Sequence, residues 1–100
     1  MESIIKPKVQ TLTSGKNLVA KQMQAKANSL MPAHQADKES ILLVLEGNCE
    51  FRMMDEVHHL KVGDSILVPA KVNHQIKAIK DFKAVHFMPK DIQFEFFDNL

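Results

Sequence analysis

Turn residues interrupt the second half of this 100-residue chain every few positions, and the longest apolar run between them is Ile41–Leu45. That run ends at Glu46-Gly47-Asn48, and a later one ends at Pro69. Short runs with closely spaced turn signals are typical of strands in a β-sandwich or barrel. The sequence therefore predicts an all-β domain. The predicted strands are Ile41–Leu45, Phe51–Met53, Val57–Lys61, Ser65–Val68, His74–Ile79, Phe82–Met88 and Ile92–Phe97.

The segment Leu18–Leu30 allows two interpretations. It is rich in Ala, Lys, Gln and Met, which favour helices, and its apolar residues also recur at helical spacing. On a strand, Val19, Met23 and Ala25 would share one face, and Lys21 would interrupt that apolar row. We predict a strand, because the motifs that follow it in the sequence are typical of an all-β fold.

Length and charge restrict the classes of function. One hundred residues form a single domain, residues 1–100, and 13 basic against 12 acidic side chains leave a net charge of +1. We therefore expect neither a nucleic-acid surface nor a polybasic membrane anchor. The chain has no apolar run long enough for a bilayer, no secretory signal pattern and one cysteine, Cys49, for which we expect a structural role. These features predict a cytoplasmic protein.

A first motif runs from Asn28 to Gly47 and resembles the first motif of the cupin family. That motif is a glycine, five residues, His-x-His, three or four residues, Glu, six residues and Gly. His34 stands at the first histidine, whereas Ala36 takes the place of the second histidine and Ser40 that of the glutamate. Asn28 replaces the opening glycine, and asparagine is among the non-glycine residues that most readily adopt a positive φ.

The second cupin motif is a glycine, five residues, Pro-x-Gly, two residues, His, three residues and Asn. Gly63, Pro69 and His74 match it at the required spacing, while Lys71 and Ala78 replace the middle glycine and the final asparagine. The two motifs together cover residues 28–78 and are separated by 15 residues, 48–62. The resemblance implies a double-stranded β-helix, the cupin jelly-roll barrel.

The resemblance also implies a metal centre, for which the family uses three histidines and a glutamate. Here only His34 and His74 stand at ligand positions, because alanine has no donor atom and serine is a poor ligand. Two imidazoles fall short of the facial triad of non-haem iron and of the three ligands usual at catalytic zinc. We therefore expect no cofactor and at most a weakly bound divalent transition metal at these two histidines. Asp37, Glu39 and His86 are the candidates for additional ligands.

The motifs instead predict an interior pocket around the two histidines. Because alternate strand residues share a face, Leu42 and Val44 would face inward with Ser40. The predicted pocket residues are His34, Ala36, Ser40, Leu42, Val44, Phe51, His74, Ile76 and His86. The motif positions carry no acid, and free histidine titrates near pH ~6.5. We therefore expect a small polar or anionic ligand that binds more tightly as the pH falls from about 8 to 6.

Three functions remain open at this point. We favour a protein that binds a small molecule and lacks a tight metal site. The alternatives are a metal-dependent cupin enzyme of the dioxygenase or isomerase type with a rearranged ligand set, and a structural homodimer with an empty barrel, in which His34 and His74 only pack. A homodimer is expected in any case, because Ile41, Leu43 and Leu45 would face outward and need a cover from a terminal strand or a second subunit.

Overall fold

Ten β-strands make up the fold in residues 4–97, the part of the chain that the computed structural model describes. Two five-stranded sheets have the orders β1-β2-β9-β4-β7 and β10-β3-β8-β5-β6, and all of these neighbours pair antiparallel. No helix in this range is long and apolar enough to cross a membrane. The strands are β1 (Lys8–Ser14), β2 (Leu18–Ala25), β3 (His34–Ala36), β4 (Ser40–Glu46), β5 (Asn48–Met53), β6 (Glu56–Lys61), β7 (Ser65–Val68), β8 (His74–Ala78), β9 (Phe82–Pro89) and β10 (Phe94–Phe96).

The predicted all-β jelly-roll architecture is confirmed. Each of the seven strands predicted from Ile41 onward is present, although the last is shorter at both ends. The strand interpretation of the ambiguous segment is also confirmed, for Leu18–Ala25. This segment pairs with β1 and β9 along its length, and the backbone hydrogen bonds and side-chain packing of a sheet outweigh the weak helix propensity of its residues.

The core lies between the two sheets. On β4 the side chains of Leu42 and Val44 point inward and are each 1% exposed, whereas Ile41 and Leu45 point outward and are exposed. Cys49 is buried in the same cluster, and burial followed by the charge of Glu50 raises the pKa of its thiol to about 12. A thiol that stays protonated is a poor nucleophile, in keeping with the structural role expected of it.

The backbone has a positive φ at the glycine positions of both motifs, as the resemblance to the cupin family implies. Gly47 and Gly63 have φ angles of +74° and +90°, and the two replacements for motif glycines, Asn28 and Lys71, also adopt positive φ, at +68° and +62°. The expectation for Asn28 is confirmed. Gly47 has a second constraint, since a Cβ there would overlap the backbone carbonyl oxygen of Asp81. The motif thus specifies turn geometry even where its residues differ.

The outward face of the first sheet presents apolar side chains on adjacent strands. Ile41 of β4 lies in register with Leu67 of β7 and Phe87 of β9, and these side chains are 46%, 50% and 44% exposed. We call these three residues the outer apolar surface. Within residues 4–97 no terminal strand covers it. The homodimer therefore stays a prediction.

Candidate functional site

The two motif histidines meet inside the second sheet. His34 on β3 lies directly opposite His74 on β8, and their Nε2 atoms are 3.1 Å apart, with ring centroids separated by 4.2 Å. His74 also stacks on Phe51 at 5.2 Å with an interplanar angle of 11°. The structure thus brings together the two residues that the sequence placed at the centre of the site.

The Nδ1 atoms of both imidazole rings lie within hydrogen-bond distance of backbone carbonyl oxygens. His34 Nδ1 lies 3.1 Å from the carbonyl oxygen of Pro32, and His74 Nδ1 lies 3.1 Å from that of Val72. Each carbonyl contact needs an N–H from the ring, and the Nε2–Nε2 contact needs a third. Two neutral imidazoles carry only two such protons. The neutral pair therefore lacks one proton and can accept a hydrogen bond from outside.

Burial keeps these rings neutral near pH 7. It lowers the pKa of His34 and, together with the positive charge of a protonated His34, lowers the pKa of His74 to about 4. The assumption of titration near pH 6.5 is therefore wrong for His74, because desolvation disfavours the imidazolium form. At neutral pH the pair offers a hydrogen-bond acceptor rather than a cation.

His86 and Ser40 form a second polar pair in the same interior. A hydrogen bond of 2.7 Å joins His86 Nε2 to Ser40 Oγ, and both residues are buried. Burial first, and then the charges of His74, His34 and Lys21, lower the pKa of His86 to about 4. The side chain at the motif's glutamate position is thus engaged by a histidine.

A cavity of about 920 Å³ opens beside the histidines, between the segment that precedes β1 and strands β1, β2, β3, β8, β9 and β10. Of the predicted pocket residues, His34, Ile76 and His86 line it, whereas His74 and Ser40 contact His34 and His86 but do not line the cavity themselves. The other apolar ones belong to the packed interior around it. Ala36 packs with Val19, Met88 and Ile92, and Leu42, Val44 and Phe51 lie in the main core.

Sequence reasoning missed several lining residues. Phe94 and Phe96 on β10 lie 5.6 and 4.9 Å from the His34 ring, centroid to centroid. Lys6 and Lys21 also line the cavity. The sequence did contain features that could have identified these residues. Phe94 and Phe96 alternate with polar residues, as on a strand, and Lys21 interrupts an apolar row. What the sequence lacked was the pairing of β10 with β3.

Of the three candidate extra metal ligands, His86 lines the same cavity and is hydrogen-bonded to Ser40, whereas Asp37 and Glu39 lie elsewhere. Asp37 Oδ1 accepts a 2.8 Å hydrogen bond from the backbone N–H of Gln93, and Glu39 is exposed beside the outer apolar surface. In the stretch 4–97, no group of three or more His, Cys, Asp or Glu side chains is arranged to hold a metal ion. With Ala36 and Ser40 at two of the four ligand positions, the donor set does not fit the four-ligand centre that the fold implies.

Comparisons with known proteins agree with this architecture. The fold is similar to that of salicylate 1,2-dioxygenase from Pseudoaminobacter salicylatoxidans, with 17% identity and a TM-score of 0.81 over 91% of this chain and 29% of that one. It is also similar to KdgF from Halomonas sp. (19% identity, 83% of this chain and 77% of that one, TM-score 0.78). A third similar structure is an RmlC-like cupin from Desulfovibrio desulfuricans (22% identity, 84% and 82%, TM-score 0.72).

This chain spans about three-tenths of the length of the dioxygenase chains. No curated protein sequence matches it. The family model of the cupin domain matches residues 22–88, which include both histidine motifs and the strands that carry them. The chain therefore belongs to the cupin family.

Proposed function

We propose that this cupin binds a small polar or anionic molecule in the cavity beside His34 and His74, without a tightly held metal. The observation that carries the proposal is the missing proton in the contact between His34 and His74, because His34 lines a cavity of about 920 Å³. That volume lies within the range of small-molecule sites.

The pair favours a ligand that carries a hydrogen-bond donor. A hydroxyl or amine that donates to Nε2 of His34 would let both Nδ1–H groups keep their backbone carbonyl partners. The rings of Phe94 and Phe96 beside His34 supply an apolar wall for the rest of the molecule. A few convergent polar groups within apolar walls are typical of small-molecule pockets.

A thermal-shift screen of small hydroxy acids and carboxylates at pH 7.5 tests the proposal. We expect hits with the wild type and their loss in a His34→Ala, His74→Ala double variant. A His59→Ala variant, which removes an exposed histidine from β6, should keep every hit. Undiminished shifts in the double variant would contradict a binding role for the pair and favour the structural interpretation.

A metal-dependent enzyme is the second candidate. The favouring observation is that each Nδ1 lies against a backbone carbonyl, because metal-binding histidines generally donate their other N–H to such a group. One of the similar structures is a salicylate dioxygenase, which adds support for oxygenase chemistry. Two ligands out of four favour weak binding, so the metal-poor protein remains our first proposal.

Metal content separates the two candidates. We expect well under one equivalent of transition metal in dialysed wild-type protein by elemental analysis. An Ala36→His, Ser40→Glu variant restores the family's ligand types at both positions and should retain close to one equivalent of zinc. An Ala36→Gln, Ser40→Gln variant is the control for added bulk. Stoichiometric iron, zinc or manganese in the wild type would overturn the metal-poor proposal.

A further inference from the structure

Lys21 is an anomaly on the inner face of β2. It lies between Val19, which is buried, and Met23, which lines the cavity, and alternate residues of a strand share a face. Lys21 is in register with His86 on β9, and His86 is in register with Leu42, which is 1% exposed. The lysine therefore stands in a row of inward-facing residues and is itself half-buried.

The cavity that Lys21 lines carries basic groups without acidic ones. Lys6 and Lys21 line it, and none of the lining side chains in the described part of the chain is Asp or Glu. No ion pair to Lys21 is found among the salt bridges within residues 4–97. A half-buried ammonium without a carboxylate partner is an unfavourable arrangement that a bound anion would relieve.

The two lysines differ in what they can contribute. Lys6 is exposed, in the segment before β1, where solvent and salt screen its charge. Lys21 lies opposite His86, and its positive charge contributes to lowering the pKa of that histidine. Its ammonium group is thus close enough to act on the histidine-lined wall. The histidines themselves are neutral near pH 7 and do not supply the positive charge.

We propose that Lys21 is the anion-binding residue of this cavity, and that the ligand it selects is a carboxylate with an apolar body. The Lys21 ammonium donates charge-assisted hydrogen bonds to the carboxylate, which are stronger than those of a neutral donor. Met23, Met31, Met88 and Phe96 line the same cavity and contact the apolar body. This assignment rests on the proposed binding function and names the ligand class.

Paired ligands that share an apolar body, one with a carboxylate and one with an uncharged amide, test the assignment. Mandelate, 3-phenyllactate and 2-hydroxyoctanoate, whose hydroxyl can donate to His34, are each compared with the corresponding primary amide, and dissociation constants at pH 7.5 are measured by NMR titration of the whole chain. We expect the wild type to bind at least one acid about tenfold more tightly than its amide, since a tenfold ratio corresponds to about 1.4 kcal/mol. Lys21→Met should remove this preference while keeping the affinity for the amide. Lys80→Met removes the same charge from an exposed turn and should leave the preference intact.

The outcomes separate this inference from the proposed function. Equal affinities of acid and amide in the wild type, or an unchanged preference in Lys21→Met, would overturn the role of Lys21 while leaving a binding pocket. Failure of all six compounds to bind the wild type would count against both. A Lys21→Gln variant is the control for a folding defect in Lys21→Met, because its amide can still donate a hydrogen bond but carries no charge. We expect it to fold as the wild type does and to lose the preference for the acid.

Discussion

Acidification should destabilise this fold through its buried histidines. Burial lowers the pKa of His74 and of His86 to about 4 in the folded chain, whereas an unfolded histidine has a pKa of 6.5. Below pH 6.5 the unfolded chain therefore binds protons that the native chain excludes. Stability is highest above pH 6.5, and it falls as the pH drops from 6.5 to about 4.

The magnitude follows from the linkage relation. At pH 5.5 an unfolded histidine is mostly protonated, whereas a native histidine with a pKa of about 4 is mostly neutral. This difference lowers the free energy of unfolding by about 1 to 2 kcal/mol for each residue. The two together should lower the free energy of unfolding by about 3 kcal/mol between pH 7.5 and 5.5. For a domain of this size such a loss lowers Tm by roughly 12–24 °C.

Urea unfolding at pH 7.5, 6.5 and 5.5 measures the effect. A His86→Gln variant keeps a side chain that can hydrogen-bond to Ser40 but does not titrate, so its pH dependence should be smaller by about 1 to 2 kcal/mol. His59→Gln, at an exposed position, is the matched control and should behave as the wild type. Identical pH dependence in His86→Gln and wild type would refute the reasoning.

Three further outcomes are expected. Gly63→Ala should lower the free energy of unfolding by about 1–2 kcal/mol, because alanine disfavours the positive φ at this position. Gly47→Ala should lower it by at least about 2 kcal/mol more, because the added Cβ overlaps a backbone oxygen, and equal losses in urea unfolding would contradict this. Ser40→Ala should cost about 1–3 kcal/mol by leaving His86 Nε2 without its partner, whereas unchanged stability would exclude that role. Ile41→Lys should convert the expected homodimer to monomers in light scattering without unfolding it, since Ile41 is 46% exposed, and a monomeric wild type would contradict the dimer.

Much of the fold could be predicted because its signals are local. The turn residues around Gly47 and Gly63 and the alternation on β4 depend on φ preference and strand period, which the sequence shows directly. The placement of His34 and His74 at one interior site followed from the family resemblance, whereas their direct opposition on adjacent strands of one sheet is seen only in the structure. The strand β2 could not be predicted from local signals, because its composition favours a helix. Only its pairing with two neighbouring strands identifies it as a strand.

The sequence by itself determined the strands from Ile41 onward, the turns between them and the replacement of two of the four metal ligands of the motifs. The tertiary structure decided what the histidines can do. Burial, which is a property of the packed sheets, keeps His74 neutral, and registers between distant strands place Ser40 against His86 and Lys21 beside the same cavity. The charge of a histidine and the hydrogen bonds that it can make depend on desolvation and on neighbours that are far apart in the chain. Neither the desolvation nor these neighbours can be derived from the residue's place in the sequence.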